Sequence, residues 1–493
     1  MIIKNVRLGH ATNSSSSHSI VIMNKSKHDY KSEWVEDQEF GWNEFQLVDT
    51  EDKLAYLAQI IKSALEQSDM DEEYIPIIIK DLIGVDVNMM GHIDHQSNVL
   101  LPGTHEYPKS PNRDFIKDFK QFMERKDVVV FGGNDNSYED SGEKYAKDIK
   151  EEFKYTGGYG WYADPGDVLS KKNGDWWTIY NRKTGAKMEF SFEAEPGEVP
   201  KPHAPDLIDL KLTNYCPFDC EYCYMDSNSQ GKHSSYHHVY SLATEMGEVG
   251  VFEVALGGGE PTLHPDFFKF LEIFKNQGVT PNFTTANTEW LKDPDKVGTV
   301  LACCGSFAFS PKDDKDLDEF TKQYNHHMKD RAKYSFKPVI HVVIGTVTEY
   351  QLREIFKKAS AHYTANSFGV TLLGFKDVGR GLEYKPHMKQ ASEYLEWLPK
   401  LLKEIAEERT FHRIGIDTCL AKELEEVMEL PSILYYTKEG FRSMYIDAVE
   451  NIYAASSYSA DTKEIHPGHV VRYPGSDHRS YDIKEMFVNI EAE

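Results

Sequence analysis

Three of the six cysteines in this 493-residue chain stand in one short stretch, Asn214-Tyr-Cys216-Pro-Phe-Asp-Cys220-Glu-Tyr-Cys223-Tyr224. Thiolates gathered in this way within one loop are typical ligands of iron–sulfur clusters. Three thiolates leave one iron of a four-iron cluster without a protein ligand. The stretch therefore predicts a cluster with an open iron, which can hold a small molecule and do chemistry on it.

Structural zinc is the alternative interpretation of the triplet. Zinc sites prefer four closed ligands, commonly arranged in Cys-x2-Cys pairs, and His233 or His237 would supply the fourth ligand. The Cys-x3-Cys-x2-Cys spacing argues against zinc. Disulfides are disfavoured because bridges between residues this close are strained and because no secretory segment is visible.

A second motif lies about thirty residues further on, at a distance consistent with one strand–helix unit. Residues Phe252–Leu256 read as a buried strand, and Gly257-Gly258-Gly259-Glu260-Pro follows directly. Glycines leave the backbone bare and able to approach a ligand closely, and Glu260 offers a carboxylate to an ammonium group.

The two motifs, in this order, resemble those of the radical S-adenosylmethionine (SAM) superfamily. The resemblance implies that Cys216, Cys220 and Cys223 hold one [4Fe-4S] cluster whose fourth iron is chelated by SAM. It implies that the glycine–glutamate stretch receives the SAM amine and that Tyr222 lies against the adenine. It further implies an electron donor of the flavodoxin or ferredoxin type, and reductive cleavage of SAM to a 5′-deoxyadenosyl radical that abstracts hydrogen from a substrate.

Regular strand–helix alternation follows residue 205 and predicts a parallel sheet with right-handed crossovers. The predicted strands are Leu207–Leu212, Phe252–Leu256, Pro281–Thr285, Ser306–Phe309, Val339–Ile344 and Gly369–Leu373. The resemblance covers residues 205–400 and implies an α/β fold, a partial (β/α)6 barrel of the TIM type. Its active site is expected at the C-terminal strand ends.

Polar residues at these strand ends are further candidates for SAM contacts. The resemblance places Thr285, Ser310 and Thr346 near the ribose and carboxylate of SAM, and Lys322 where a basic residue neutralises that carboxylate. Thr285 and Ser310 also fit ordinary turn positions. Arg380, in Gly-Arg-Gly after the sixth strand, either borders a substrate cavity or belongs to a plain surface turn.

The first 200 residues read as a separate α+β domain, because a proline-rich and charged stretch, 193–205, follows them. Apolar residues at helical spacing predict a helix over 54–65. Strands are predicted at 128–131, 176–180 and 188–192, the last two forming a hairpin. His92, Asp94 and His95 are close enough in sequence to share one metal or phosphate, or to lie in a solvated loop.

Residues 401–493 resemble the SPASM or twitch extension of radical SAM enzymes, in which a hairpin strand normally runs into an auxiliary-cluster cysteine. Here Ala454 and Ala455 stand in the matching run, and Cys419 is the only cysteine in the extension. We therefore expect one cluster only, with Cys419 as a small buried residue. The extension favours a peptide or protein substrate. A nucleoside, sugar or other small molecule, or a non-catalytic metal-binding scaffold, are the alternatives.

The composition is ordinary for a globular protein, with 40% hydrophobic and 27% charged residues. The net charge is −25, from 80 acidic and 55 basic residues, and disfavours generic nucleic-acid binding. No long apolar run predicts a membrane helix. With no signal-like start and an oxygen-sensitive motif, we expect a cytoplasmic protein.

Overall fold

The computed structural model describes residues 2–7, 23–24, 39–40, 45–66, 74–84, 92–93, 113–126, 128–132, 168–191, 199–328, 338–360, 368–384, 394–408, 414–428, 439–457, 470–472 and 482–490. The chain divides into two compact units. The first takes most of the chain up to Pro200, and the second takes Lys201–Glu493 with two short earlier stretches. No helix in the described ranges is both long and apolar enough to span a membrane.

The first unit combines helices with small sheets. Its strands are β1 (Ile2–Arg7), β2 (Met23–Asn24), β3 (Glu39–Phe40), β4 (Phe45–Leu47), β5 (His92–Ile93), β6 (Val128–Gly132), β7 (Val168–Asn173), β8 (Trp176–Asn181) and β9 (Lys187–Ser191), and its helices are α1 (Thr50–Glu66), α2 (Ile75–Ile83) and α3 (Arg113–Met123). The predicted helix is α1, and its apolar residues are buried in the core of the unit. The predicted hairpin is the antiparallel pair β8–β9.

The second unit alternates strands and helices. Its strands are β10 (Leu207–Thr213), β11 (Glu253–Gly258), β12 (Thr280–Thr285), β13 (Phe307–Phe309), β14 (Val339–Val343), β15 (Gly369–Leu373), β16 (Ile414–Ile416), β17 (Ser443–Asp447), β18 (Ile452–Ala454) and β19 (Val470–Arg472). Its helices are α4 (Tyr236–Glu248), α5 (Phe267–Asn276), α6 (Pro294–Cys303), α7 (Asp314–His327), α8 (Glu349–Ser360), α9 (Gly381–Tyr384), α10 (Tyr394–Glu408), α11 (Thr418–Glu425) and α12 (Ile483–Val488).

These strands form one ten-stranded sheet in the order β16-β15-β14-β13-β12-β11-β10-β17-β18-β19. The six predicted strands are confirmed as the consecutive parallel neighbours β10 to β15. Two further strands extend the parallel part, β16 beside β15 and β17 beside β10. The predicted C-terminal hairpin is the antiparallel pair β17–β18, and its first strand continues the main sheet.

The two faces of this sheet differ in chemistry, as strand β10 illustrates. Ile208, Leu210 and Leu212 point to one face and belong to the main hydrophobic core. Side chains alternate between faces along a strand, so Asp209 and Lys211 point to the other face. That inner face also carries the Lys211–Asp447 ion pair, with Nζ and Oδ2 3.0 Å apart and both side chains buried. The apolar face fixes the helices, and the polar face lies toward the interior of the partial barrel.

Candidate cluster and cofactor site

The cysteine loop begins where β10 ends and is tied to its own returning segment. The amide of Cys216 donates to the Asn228 carbonyl over 2.9 Å, and the amide of Asn214 donates to the Lys232 carbonyl over 2.8 Å. The Ser235 side chain then caps α4 by accepting from the amide of His238. The loop carrying the thiols is therefore fixed at both ends by backbone pairing and a helix cap.

One glycine allows this loop to close. A Cβ atom at Gly231 would lie 2.0 Å from the carbonyl oxygen of Asn214, which is closer than any side chain permits. Only glycine lets the returning segment approach the start of the loop. The paired segment is thus specified by the sequence through a residue that carries no chemistry of its own.

The three thiols lie close enough together to interact electrostatically. All three cysteines are partly exposed and have no disulfide partner. Burial raises the pKa of the Cys216 and Cys220 thiols, and neighbouring Lys312 opposes the increase at Cys220. Binding iron would displace these protons, because the thiolate is the ligand. The donor set therefore fits a cluster held by three thiolates.

In the described ranges, no three His, Cys, Asp or Glu side chains converge as the ligands of a single metal ion would. Each thiolate of a cubane binds its own iron, so such convergence is not required of the three cysteines. His233, a fourth ligand in the zinc alternative, has its Nδ1 2.8 Å from the Thr213 hydroxyl. His237, the other such candidate, lies in the first turn of α4.

The glycine motif brings the end of β11 against the start of the cysteine loop. The amide of Gly259 donates to the Thr213 carbonyl over 2.6 Å, and the amide of Glu260 donates to the Tyr215 carbonyl over 2.8 Å. A Cβ at Gly259 would lie 2.2 Å from the Tyr215 carbonyl oxygen, whereas one at Gly257 would meet no atom within 4 Å. Gly258 has φ +122 and is equally close to Thr213. Gly258 and Gly259 thus serve backbone contact, and Gly257 leaves open space.

The carboxylate of Glu260 is buried and surrounded by donors. Its Oε1 accepts from the Thr262 hydroxyl and the Thr285 hydroxyl, each over 2.6 Å, and from the Thr262 amide over 3.2 Å. Its Oε2 accepts from the Ala286 amide over 2.9 Å. Burial raises the pKa of Glu260, and these hydrogen bonds oppose the increase. A carboxylate oxygen with one donor has room for another, so Oε2 is suited to an ammonium group.

Arg380 holds the cysteine loop from the opposite side. Its Nε donates to the Cys220 carbonyl over 2.9 Å, and its amide donates to the Cys223 carbonyl over 3.0 Å. Its Nη1 donates to Asp226 Oδ1 over 2.8 Å and to the Ser227 carbonyl over 3.0 Å. The sequence analysis left this residue between a cavity border and a surface turn. The Gly-Arg-Gly run was its only signal, since the contacts join positions about 150 residues apart.

Lys312 is a second basic residue at the loop, and the sequence analysis did not select it. Its Nζ donates to the Phe218 carbonyl over 2.9 Å and lies 5.2 Å from the centre of the Phe218 ring. Lys312 comes shortly after the end of β13. A basic residue after the fourth parallel strand was expected, but at Lys322.

The remaining predicted contacts lie at several places around the strand ends. Thr285 binds Glu260, and the Ser310 amide donates to the Thr285 carbonyl over 3.0 Å. Thr346 forms a turn, its hydroxyl donating to the Val343 carbonyl over 2.8 Å. Lys322 lies on α7 with its side chain 76% exposed and its Nζ 3.8 Å from Glu319. The structure thus joins Thr285 and Ser310 to Glu260, and places Thr346 and Lys322 elsewhere.

Tyr222 lies in a small aromatic group beside the last cysteine. Its ring meets Tyr384 edge-on, with centroids 5.7 Å apart, and Tyr384 stacks on Phe375 at 6.0 Å. Burial raises the pKa of its hydroxyl well above the usual range. A flat, partly buried aromatic surface of this kind suits stacking with a planar ring. Asp94, His95 and the side chain of His92, the other predicted ligand group, lie outside the described residues.

A family model described as the Radical SAM superfamily matches residues 210–377. The PqqA peptide cyclase of Bradyrhizobium diazoefficiens is 22% identical over 222 residues, which are 43% of this chain and 57% of that protein. A probable GTP 3′,8-cyclase of Sulfolobus acidocaldarius is 34% identical over 91 residues, which are 18% of this chain and 29% of that protein. The chain thus matches less than two thirds of the length of either relative.

Among solved structures, Streptococcus suis SuiB bound to the precursor peptide SuiA aligns with a TM-score of 0.48 at 11% identity. The alignment covers 65% of this chain and 87% of SuiB. The family match spans β10 to β15 and includes the cysteine loop, the glycine motif and Glu260. Through this domain, residues 210–377, the chain belongs to the radical SAM superfamily.

Proposed function

We propose that the chain is a radical SAM enzyme that reductively cleaves SAM at one [4Fe-4S] cluster and removes hydrogen from a peptide or protein. One observation carries this proposal. The loop of Cys216, Cys220 and Cys223 and the strand end bearing Glu260 are hydrogen-bonded backbone to backbone. That contact brings a three-thiolate donor set and a buried carboxylate to one edge of the sheet.

Each side chain at this edge has a separate task in the proposal. The three thiolates hold the cluster, which when bound supplies the electron that breaks the C5′–sulfur bond of SAM to give methionine and a 5′-deoxyadenosyl radical. Glu260 Oε2 receives the SAM amine, and the Thr262 and Thr285 hydroxyls fix that carboxylate. Gly257 leaves room for the ligand beside the strand. Ser310, Thr346 and Lys322 remain candidate SAM contacts from the resemblance.

The peptide substrate is supported by the extent of one sequence match. The alignment with PqqA peptide cyclase spans 222 residues, more than the 168 of the family match at 210–377. The alignment with the GTP cyclase spans 91 residues and lies within the size of the domain alone. The predicted twitch-like extension, 401–493, supports the same substrate class. A small-molecule substrate is the alternative, and a flavodoxin or ferredoxin is the proposed electron donor.

The decisive experiment is anaerobic reconstitution followed by incubation with SAM and dithionite. We expect 5′-deoxyadenosine from the wild type and none above background from Cys220→Ala. Cys303→Ala, which alters a cysteine outside the loop, is the matched control and should retain the product. About four irons per chain are expected for one cluster.

Three results would contradict parts of this proposal. An intact cluster without 5′-deoxyadenosine, both alone and with candidate substrates, would favour the non-catalytic scaffold. About eight irons per chain would overturn the single cluster. Deuterium transfer into 5′-deoxyadenosine from a labelled small molecule, and not from labelled peptides, would replace the peptide by the small-molecule substrate.

A further inference from the structure

A buried lysine lies inside the second unit, close to the cysteine loop and without a role in the proposed chemistry so far. Lys376 follows β15, and its Nζ donates to the Ser457 hydroxyl over 3.0 Å. The same Nζ lies 4.9 Å from the ring centre of Tyr224, the residue after Cys223. We call the group Asp209, Tyr224, Lys376, Asp417, Glu439 and Ser457 the Lys376 pocket.

Carboxyl groups outnumber the cation in this pocket. Asp417 is buried, and its Oδ1 accepts from the Gly374 and Leu420 amides, each over 2.9 Å. Glu439 and Asp417 both act electrostatically on Lys376. Asp209, on the inner face of β10, is within electrostatic range of Lys376 and Glu439. One ammonium group thus stands among three carboxyl groups.

One oxygen of this group has no partner. Oδ1 of Asp209 is buried and forms no hydrogen bond with any residue that the structure describes. Lys376 does not supply the bond, because its ammonium group is engaged by Ser457 and Tyr224. A buried polar atom left without a hydrogen bond is destabilising. Such an atom in a cluster of excess negative charge indicates a place for a positively charged ligand group.

We propose that the Lys376 pocket binds a cationic group of the substrate, a primary amine or a guanidinium, against Asp209 and Glu439. This inference rests on the proposed function, since it specifies the substrate of that same site. An anionic group is disfavoured because it would meet three carboxyl groups for one lysine. The net charge of −25 also draws cationic molecules to the chain.

Saturation-transfer NMR with small probes tests this inference on the full, reconstituted chain. The probes are n-butylammonium, n-butylguanidinium, neutral 1-butanol and anionic butyrate. SAM is present so that Glu260 is occupied, and no reductant is added. We expect both cations to give at least threefold more transfer than 1-butanol. Asp209→Asn should reduce their transfer to the 1-butanol level, whereas Asp295→Asn, at an exposed position on α6, should retain it.

A second variant with the opposite expected sign guards against misfolding. Lys376→Gln removes the competing cation, so transfer to both cationic probes should increase at least twofold. Equal transfer to cations and 1-butanol in the wild type would overturn the inference. So would unchanged cation transfer in Asp209→Asn, or weaker transfer in Lys376→Gln. No SAM is cleaved in this assay, so its failure is distinct from a failure to form 5′-deoxyadenosine.

Discussion

Two buried carboxyl groups of the second unit, Glu260 and Asp209, have opposite surroundings. Glu260 accepts four hydrogen bonds, from Thr262, Thr285 and Ala286. Asp209 has a buried Oδ1 without a partner among the described residues. Burial raises the pKa of both groups, but hydrogen bonds oppose the increase only at Glu260, whereas Glu439 adds to it at Asp209.

This difference separates a site fixed before its ligand arrives from a site completed by its ligand. The Glu260 carboxylate already has its position set, which suits a cofactor that is the same in every turnover. The Lys376 pocket keeps an unsatisfied acceptor, which suits recognition of one particular substrate group. A site that retains such an acceptor discriminates strongly against molecules that cannot satisfy it.

The largest effect is expected for Glu260→Gln. The amide group would turn an NH2 toward donors that now bind a carboxylate, and it would remove the charge that meets the SAM amine. We expect about 3–5 kcal/mol of lost stability, as when a buried charge network is broken, and loss of detectable SAM binding. Chemical unfolding and calorimetric titration with SAM measure the two effects.

The matched control is Glu272→Gln, at an exposed position on α5, which should change neither quantity. If Glu260→Gln unfolds at the wild-type denaturant concentration, the carboxylate is not held as tightly as its hydrogen bonds indicate. The comparison with Asp209 would then lose its fixed member.

The second prediction concerns pH and Asp209. Burial raises the pKa of Asp209 from 3.8 to about 7, opposed by Lys376 and reinforced by Glu439. Between these values the folded chain keeps a proton that the unfolded chain has lost, so the stability contributed by this group falls as pH rises. Above pH 7 the cost reaches at most about 4 kcal/mol.

Asp209→Asn abolishes this titration, so the variant should gain stability relative to the wild type as pH rises from 4.5 to 8. Urea unfolding at several pH values in that range measures the difference, with Asp295→Asn as the control. A difference between Asp209→Asn and wild type that stays constant with pH would show that Asp209 has a partner in the folded chain.

Arg380 provides the third test, because it extends the fixed site to the cysteine loop. Arg380→Lys keeps the charge but cannot reproduce contacts with Cys220, Asp226 and Ser227 at once. Hydrogen bonds to charged groups contribute about 1.5–3 kcal/mol, so iron loss to a chelator should accelerate about 10- to 100-fold. The decay of cluster absorbance measures it, and Arg353→Lys on α8 is the control. Equal decay rates would leave Arg380 as a surface residue.

The sequence predicted the parallel sheet because its strands carry local signals. Apolar runs bounded by glycine and polar residues occur at β10 to β15, and each run is short enough to be read by itself. Strands β16 and β17 were not included in the predicted sheet. β16 has three residues, and the pairing of β17 with β10 joins positions more than 200 residues apart. Such pairing leaves no local signal.

The same division applies to the site. The cysteines and Glu260 were identified because their motifs are contiguous. The contact of Arg380 with the cysteine loop, and the grouping of Asp209 with Lys376 and Glu439, depend on chain segments brought together by folding. Asp209 also stands in a strand whose alternate residues are apolar, so its sequence context indicates only an inward-facing position.

The smallest effect compares two lysines, Lys312 and Lys322. The resemblance assigns the carboxylate of SAM to Lys322, which is 76% exposed beside Glu319. Lys312 instead contacts the loop that holds the thiols, through the Phe218 carbonyl. We expect Lys312→Gln to weaken SAM binding about threefold to fivefold more than Lys322→Gln, because exposed charge pairs contribute about 0–1 kcal/mol. Titration of SAM into both reconstituted variants measures the ratio. A larger loss in Lys322→Gln would return the carboxylate to Lys322 and would place the basic group of the fixed site on α7.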